Sequence, residues 1–383
     1  MKKNKHVMIA IPVLLFGGTE MQTLNLVRVL VSTGYRVTIC CYYEYDAEMV
    51  RQFEATGAEI LLMKYERATG LWHLTKGLIR LFKEQKPDIV HVQYLAPGFV
   101  PVFAGWIAGV KTIFATVHQP GTPHSIKNHL LLRFGAMLTN HFICVSEAAE
   151  KSWFGNSCLI DMTDRKKIKG KRHFTIPNGV DIEGLDTALA AGLPKVAEIT
   201  DSLKENQVIG TVARLSMEKG IDILLEAFAL VYKEFHQSKL LIVGDGNQSA
   251  ELKTLANRLG ISNAITWTGQ LSWHEAMGCI GHMDIVVVPS RFEGFGLTAV
   301  EAMACGKPVV ASRVDGLAEI IQDGITGVLV PSEEPRSLAS TLIRLLKDKE
   351  CRHQIGIVAR KHVEEDYSYL KFRERCRVIY ALL

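Results

Sequence analysis

The sequence predicts an α/β protein that contains two doubly wound parallel sheets. Short apolar, β-branched runs alternate with longer amphipathic stretches along most of the 383 residues, and this alternation is typical of parallel strands joined by helices. A chain of this length exceeds what one ordinary core supports, so two domains are expected. The alternation pauses near residue 180 and resumes near residue 205, which indicates a boundary between the two domains.

The first domain is predicted to cover residues 1–180 and the second residues 181–365. Strands of the first read HVMIAIPV, RVTICCY, PDIVHVQY, KTIFATVH and HFICVSEAA. Strands of the second read QVIGTVARL, SKLLIVGDG, AITWTG, DIVVVPS and KPVVASRV. The segment 176–206 is turn-rich and then irregular, and the part between about 180 and 205 is expected to be an extended linker. Open α/β sheets bind ligands beyond the carboxyl ends of their strands, so two facing sheets would enclose one cleft.

The composition is that of a soluble globular protein, 48% hydrophobic and 22% charged. No apolar run approaches the ~20 residues of a membrane helix. The basic and then apolar start resembles a signal peptide, but it contains Pro12 and runs into Gly17-Gly18, which favours a buried first strand entering a glycine-rich turn. Eight cysteines without C-x-x-C spacing indicate a reducing, cytoplasmic location and no structural disulfides.

Charge is distributed unevenly along the chain. Residues 1–178 carry 22 Lys and Arg against 13 Asp and Glu, a net charge of +9, whereas the remaining residues carry −5. This excess indicates an anionic partner, either a phosphorylated substrate or a membrane surface, or else solvated lysines without a partner. Six Lys and Arg fall within 165–172, just after Trp153 and Phe154. This stretch is interpreted as a solvated loop or as a contact with anionic lipid or substrate.

The stretch RFEGFGLTAVEAMACGKPVVAS places two carboxylates eight positions apart, Glu293 and Glu301. It follows a predicted buried strand, and Gly294 and Gly296 allow a ligand to approach the backbone closely. The helix expected from about residue 297 would present free N–H groups, which favour an anion. Glu301 inside that helix would accept hydrogen bonds from hydroxyls. Alternatively, Glu301 is a solvent-facing residue favoured by the helix dipole and Glu293 a simple loop carboxylate.

A second stretch, GTVARLSMEKGID, supplies cations after another predicted strand. Arg214 and Lys219 precede the helix that begins near Gly220. Two cations at the end of a parallel strand suit a diphosphate with about two negative charges. In isolation, both would be interpreted as solvated side chains.

Together these stretches resemble the retaining glycosyltransferases of family 4, also called glycosyl transferases group 1, which have the GT-B fold. FEGFGLTAVEA resembles their E-x7-E motif, and VARLSMEKG resembles their phosphate-binding loop. GGTE, PNGVD, VGDG, TWTGQL and PSRFEGFG follow in the order and spacing usual for the family. The resemblance covers nearly the whole chain and is strongest over residues 205–330. It implies two Rossmann-like domains, with a C-terminal helix at 366–383 that packs back on the first.

The resemblance also implies roles for individual residues. Arg214 and Lys219 would hold the diphosphate of a UDP- or GDP-linked sugar, Glu301 the ribose hydroxyls, and Glu293 the donor sugar. His118, at the end of KTIFATVH, would lie beside the reacting carbon; alternatively it is a satisfied polar residue at a strand end. The remaining donor contacts implied are Gly17, Gly18, Gly269 and the backbone of Gly294, Phe295, Gly296 and Leu297.

The expected reaction is a metal-independent, retaining transfer that needs no cofactor. Many nucleotide-sugar transferases hold a divalent metal with Asp-x-Asp, and this sequence contains no such pair. The acceptor is expected to be a saccharide or lipid-linked saccharide in surface polysaccharide or glycoconjugate synthesis, with peripheral contact to the inner membrane face and no nucleic-acid partner. A sugar-nucleotide epimerase, a phosphorylase of similar fold, and an inactive nucleotide-sugar-binding protein remain alternatives.

Overall fold

The chain folds into two compact units, each an α/β structure. The computed structural model describes residues 5–93, 99–160 and 170–381. The first unit comprises Met1–Gly179 and Leu370–Leu383, and the second comprises Val180–Tyr369. Within the described residues, no helix is long and apolar enough to cross a bilayer.

The first unit contains a seven-stranded sheet. Its strands are β1 (His6–Ile11), β2 (Arg36–Cys41), β3 (Glu59–Leu62), β4 (Ile89–Gln93), β5 (Thr112–Val117), β6 (His141–Cys144) and β7 (His173–Thr175). Its helices are α1 (Gly18–Ser32), α2 (Ala47–Glu54), α3 (Leu71–Gln85), α4 (Val100–Ala108), α5 (Ile126–Met137) and α6 (Glu147–Phe154), with most of α16 (Tyr369–Ala381) added from the end of the chain. The strand order is β3-β2-β1-β4-β5-β6-β7, and every pair is parallel.

The second unit repeats this plan with six strands. They are β8 (Gln207–Val212), β9 (Ser238–Val243), β10 (Ile265–Trp267), β11 (Ile285–Val288), β12 (Val309–Ser312) and β13 (Val328–Val330). The helices are α7 (Ile182–Ala190), α8 (Pro194–Asp201), α9 (Ile221–Glu234), α10 (Ser249–Arg258), α11 (Trp273–Gly281), α12 (Leu297–Ala304), α13 (Asp315–Ile320), α14 (Pro335–Lys347) and α15 (Lys349–Asp366). The order is β10-β9-β8-β11-β12-β13, again entirely parallel. The predicted fold class is therefore confirmed.

Each sheet has one point at which the direction of winding reverses. In the first unit it lies between β1 and β4, and in the second between β8 and β11. Chain connections leave on opposite faces at such a point, so a crevice opens beyond the carboxyl ends of the two strands. The strands themselves are apolar because helices cover both faces; β11, for example, reads Ile-Val-Val-Val and is buried throughout.

The segment predicted as an extended linker is helical, so that expectation is wrong. Residues 182–190 and 194–201 form α7 and α8. Asp181 caps α7 by accepting a hydrogen bond from the backbone N–H of Gly184, and Pro194 begins α8, where its missing N–H costs nothing. Leu185 and Val196 are buried, and both helices pack against α11. The apolar faces of α7 and α8 are short, and the sequence around them is rich in turn residues, so the helices were not recognised from the sequence.

The aromatic pair beside the basic stretch does not form an exposed anchor. Trp153 is completely buried, and its indole Nε1 donates to the carbonyl of Gln119 at 2.9 Å. His124 and His129 lie against its ring, with centroids 5.1 and 4.6 Å away. The neighbouring Phe154 stacks on His173. Trp153 is therefore a core residue and gives no support to a lipid contact by the neighbouring basic stretch, because the sequence alone does not show which aromatic residues are buried.

Candidate functional site

An ion pair joins the two strands at the reversal point of the second unit. The Nζ of Lys219 lies 2.6 Å from Oε2 of Glu293, and both side chains are largely buried. Lys219 follows β8 and Glu293 follows β11, so neighbouring parallel strands carry them to one sheet edge. The hydroxyl of Ser290 donates to the same carboxylate oxygen at 3.3 Å. The structure thus brings together two of the four predicted catalytic residues.

The loops that carry this pair are tied together by further hydrogen bonds. Arg291 makes a bidentate contact with Asp222, at 3.0 and 2.7 Å, and its backbone N–H donates to the carbonyl of Glu218. Gly220 has a φ of +63°, and a Cβ there would lie 2.1 Å from the carbonyl oxygen of Pro289. Only glycine permits this close approach. The position of Lys219 is therefore fixed by backbone contacts as well as by its carboxylate partner.

The first turn of α12 adds backbone donors at this edge. Gly296 precedes the helix with a φ of +103°, a conformation that side chains other than glycine rarely adopt. The hydroxyl of Thr298 donates to the carbonyl of Val212, the last residue of β8, at 3.2 Å. Phe295 is buried, and Leu297 opens the helix. The N–H groups of a first helical turn carry partial positive charge, so this turn and Lys219 suit an anion.

Arg214 leaves the same β8 loop but is held differently. Its side chain is 72% exposed, and it contacts Glu218 at 3.3 Å. An exposed pair of this kind restrains a side chain only weakly. Arg214 is therefore an exposed, weakly restrained cation, in contrast to Lys219.

Glu301 lies inside α12 and is only 8% exposed. The indole Nε1 of Trp273, the first residue of α11, donates to its Oε1 at 2.8 Å. Burial raises the pKa of Glu301 to about 7, although the hydrogen bond from Trp273 acts in the opposite direction. The solvent-facing alternative for Glu301 is thus wrong. A buried carboxyl that titrates near neutrality is suited to accept hydrogen bonds from an incoming hydroxyl.

Gly269 occupies the carboxyl end of the outer strand β10. It has a φ of +70° and its carbonyl accepts the backbone N–H of Gly244, which follows β9. A Cβ on Gly244 would lie 2.1 Å from the carbonyl of Ala213. The VGDG and TWTGQL motifs are therefore joined by a backbone hydrogen bond at the same edge of the sheet as Lys219.

His118 belongs to the first unit, one residue after β5. Its Nε2 lies 2.8 Å from Oε1 of Gln93, the last residue of β4. Because an amide oxygen only accepts, this contact places the imidazole proton on Nε2. Burial lowers the pKa of His118 to about 3, so the ring is neutral at physiological pH.

Beneath His118 lies a small cavity of about 30 Å³. His91 on its wall bonds the hydroxyl of Tyr380 in α16 at 2.6 Å and the hydroxyl of Thr116 at 2.7 Å. The pKa of His91 is lowered to about 3 by burial and by the neighbouring His118. Helix α16 therefore contributes to the packing around the cavity beneath His118, within the same unit.

Gly17 and Gly18 form the turn between β1 and α1. Gly17 is extended, with a φ of −169°, and Gly18 begins the helix. A Cβ on Gly17 would lie 2.6 Å from a carboxylate oxygen of the buried Glu20. One turn later, the amide of Gln22 exchanges two hydrogen bonds with the backbone of Gly179, at 2.9 and 3.1 Å. The GGTE and PNGVD motifs thus meet in this unit.

Two further predictions concern cations and metals. Residues 165–169 of the basic stretch lie outside the described residues, so only 170–172 of it are placed. In the part of the chain that the structure describes, no three His, Cys, Asp or Glu side chains are grouped as metal ligands. The eight cysteines all lie in described segments and are all free thiols.

Several residues of these clusters were not predicted from the sequence. Trp273, Ser290 and Gln93 hold Glu301, Glu293 and His118 respectively. Gln93 ends β4 and Ser290 lies two residues after β11, and this position is a usable signal at a parallel-sheet edge. Trp273 had no such signal, because it reaches Glu301 from a helix 28 residues earlier in the chain.

Comparison with known proteins identifies this arrangement. The family described as Glycosyltransferase Family 4 matches residues 16–183, and the family Glycosyl transferases group 1 matches residues 194–362. Together the two matches cover both units. The chain belongs to the family 4 glycosyltransferases of group 1.

Related glycosyltransferases are similar over most of their length. A D-inositol 3-phosphate glycosyltransferase of Corynebacterium jeikeium is 29% identical over 340 residues, covering 84% of this chain and 79% of that protein. An N-acetyl-alpha-D-glucosaminyl L-malate synthase of Bacillus anthracis is 28% identical over 314 residues, covering 80% and 78%. The similarity therefore extends across both units of this glycosyltransferase.

A solved structure agrees with the GT-B fold of this family. HepE from Anabaena, in complex with UDP-glucose, superposes with a TM-score of 0.80 over 99% of this chain and 100% of that one, at 21% identity. At this level of identity the likeness concerns the fold. The two parallel sheets described above are thus the GT-B arrangement of a family 4 glycosyltransferase.

Proposed function

We propose that this glycosyltransferase moves a sugar from a nucleotide-diphospho-sugar, linked to UDP or GDP, to a saccharide or lipid-linked acceptor. The contact between Lys219 and Glu293 at the ends of neighbouring strands carries this proposal. Breaking the glycosidic bond leaves negative charge on the diphosphate, which a fixed cation and helix N–H groups stabilise. The UDP-glucose complex of the Anabaena protein supports a nucleotide-sugar donor.

Each side chain of the site has a proposed role in this reaction. Lys219 and the first turn of α12 hold the diphosphate, and the exposed Arg214 closes on it from the β8 loop. Glu293 accepts hydrogen bonds from hydroxyls of the donor sugar, and its backbone neighbours through Leu297 surround sugar and phosphate. Glu301 accepts hydrogen bonds from the ribose hydroxyls. A buried carboxylate is removed from water, so it needs hydrogen-bond donors more than an exposed carboxylate does.

We further propose that transfer proceeds with retention and without a metal ion. In this scheme the acceptor hydroxyl attacks from the face that the diphosphate leaves, and a phosphate oxygen takes the acceptor proton. The absence of Asp-x-Asp from the sequence supports metal independence, since Lys219 and Arg214 then supply the positive charge that a metal otherwise provides. Glu293 acting as a covalent nucleophile is the competing mechanism.

The first unit is proposed to contribute the acceptor side of the reaction. Gly17 and Gly18 leave room for the diphosphate and the acceptor, and the neutral His118 lies near the reacting carbon. The product is proposed to enter a surface polysaccharide or glycoconjugate, made in the cytoplasm or at the inner membrane face. The names of the related enzymes, which give D-inositol 3-phosphate and L-malate, support a small hydroxyl-bearing acceptor as the alternative.

A panel of nucleotide sugars tests this proposal. The protein is screened for thermal stabilisation by each compound, and those that stabilise it are then assayed for hydrolysis and for transfer to saccharide and lipid-linked acceptors. Transfer in the presence of EDTA, with product of the donor's anomeric configuration by proton NMR, is expected. Inversion, or strict dependence on Mg²⁺ or Mn²⁺, overturns the mechanism. Isomerisation of the sugar without an acceptor favours the epimerase, and binding without turnover favours the inactive protein.

A further inference from the structure

Helix α5 of the first unit presents an exposed apolar face. Ile126, Leu130, Phe134 and Met137 lie at intervals of four, four and three residues, so they share one side of the helix. Between 50% and 81% of each residue's surface is exposed. Isolated apolar residues on a surface need no explanation, whereas a row of four along a helix marks an interaction site. We call this surface the α5 face.

Aromatic contacts extend the α5 face onto helix α4. Phe134 packs edge-on against Phe99, with ring centroids 6.0 Å apart, and Phe99 contacts Phe103 at 5.9 Å. Phe103 in turn stacks on Trp106, which is 56% exposed, at 6.1 Å. The apolar surface is therefore continuous from Ile126 to Trp106, and it includes a tryptophan, a residue that favours the boundary between water and lipid.

The segment of the chain that carries the α5 face is basic. Between Asp88 and Glu147 the sequence contains no aspartate or glutamate. Lys111, Lys127 and Arg133 are all exposed within that interval. Exposed apolar side chains accompanied by exposed cations are complementary to a surface that is apolar inside and anionic outside.

We propose that the α5 face binds the surface of an anionic lipid bilayer. The apolar row would enter the headgroup boundary, and Lys111 and Lys127 would contact phosphate groups. A protein partner would need carboxylates to match the cations and an apolar ridge to match the row, whereas an anionic bilayer offers both over any area. This surface differs from the basic stretch at 165–172, and Trp153 has no part in it.

Co-sedimentation of the full chain with vesicles tests this surface directly. Vesicles of phosphatidylcholine alone are compared with vesicles that also contain phosphatidylglycerol. The wild type is expected to sediment mainly with the second kind. The double variant Leu130→Gln/Met137→Gln is expected to partition about tenfold more weakly, equivalent to about 1.4 kcal/mol. Lys111→Gln/Lys127→Gln is expected to lose the preference for anionic vesicles, as the wild type does at high salt.

A control double variant replaces two exposed apolar residues elsewhere on the protein. Ile325→Gln/Ile357→Gln lies in the second unit, where both residues are about half exposed, and this variant is expected to sediment like the wild type. The proposal is wrong if the wild type stays in the supernatant with anionic vesicles, or if the α5 variant sediments equally well. It is also wrong if sedimentation velocity shows a dimer that Leu130→Gln/Met137→Gln dissociates, because the face would then bind a second copy. No nucleotide sugar is present, so these outcomes are independent of the proposed transfer reaction.

Discussion

Lys219 and Glu293 are 74 residues apart in the sequence, yet their charged groups meet at 2.6 Å. The pair spans β8 and β11, the strands between which the second sheet reverses its winding. The ammonium group of a lysine held in this way is already in position. Its side chain therefore needs to move little when a negative charge develops nearby during the reaction. Glu293 is in turn oriented by Lys219 and by Ser290. Each member of the pair therefore determines the position of the other.

Removing either member of this pair is expected to lower the rate of transfer strongly. Lys219→Met and Glu293→Gln should each lower turnover about 10²–10³-fold, as the loss of one oriented group at a developing charge typically does. A radiolabelled-donor assay measures the effect, and circular dichroism checks the fold. Lys233→Met, which changes an exposed lysine of α9, serves as the matched control. Wild-type turnover in both site variants would contradict the assignment.

Arg214→Ala is expected to weaken nucleotide binding without changing the stability of the free protein. Because Arg214 is 72% exposed and its pair with Glu218 lies at the surface, that contact contributes under about 1 kcal/mol. Thermal unfolding without ligand should match the wild type, whereas the stabilisation by UDP should be reduced. An unchanged UDP shift would show that Arg214 does not touch the diphosphate.

The stability of the free protein is expected to fall between about pH 5 and about pH 8 because of Glu301. Burial raises the pKa of Glu301 from 4.5 to about 7, so the folded state binds more protons than the unfolded state in this interval. Its stabilising contribution is complete below the unfolded pKa and is lost as the pH rises through about 7. Chemical denaturation should show a loss of at most about 3 kcal/mol. Glu301→Gln, which can still accept from Trp273, should remove that part of the pH dependence.

Nucleotide binding is expected to release a proton from Glu301. Ribose hydroxyls that donate to the carboxylate would stabilise its charged form and lower its pKa. UDP affinity should therefore rise from about pH 6 to about pH 8, and calorimetry in buffers of different ionisation enthalpy should detect the proton. Glu301→Gln should show neither effect. Equal proton release by this variant would assign the proton to another group.

Gln93 is expected to set the protonation state of His118. The amide oxygen of Gln93 accepts from Nε2, which fixes the imidazole proton on that atom, and burial keeps the ring neutral. In Gln93→Glu a carboxylate replaces the amide and favours the imidazolium, so the pKa of His118 should rise from about 3. Nitrogen NMR of the ring measures this shift directly. Gln93→Leu, a variant without the acceptor, should not raise the pKa, and a rise in both would point to loosened packing.

A new acid limb in the pH–activity profile would then connect Gln93 with catalysis. If His118 acts near the reacting carbon as a neutral ring, Gln93→Glu should lose activity below the raised pKa of His118 and recover above it. A variant that merely disturbs packing would lower activity at every pH. His91, which lies beside His118 and is also neutral, is followed in the same spectra.

The sequence by itself determined the fold class and the positions of the functional loops. The spacing of apolar residues and the local composition can be read from short segments of the chain. Runs of β-branched residues followed by amphipathic stretches therefore identify parallel strands and their helices. Glycines such as Gly296 and Gly220 are required by local backbone geometry, and a reader of the sequence sees them directly. Because parallel strands deliver their carboxyl ends to one edge, the approximate neighbourhood of Lys219 and Glu293 also followed.

Only the tertiary structure decided which side chains meet and which are buried. The indole of Trp273 on the carboxylate of Glu301 and the amide of Gln93 on His118 join separate elements, and no local pattern specifies such pairs. The same holds for Trp153, which its neighbours bury, and for the α5 row, which its neighbours leave exposed. Burial is a property of packing between distant segments, and it sets both the pKa of Glu301 and the surface available to a partner.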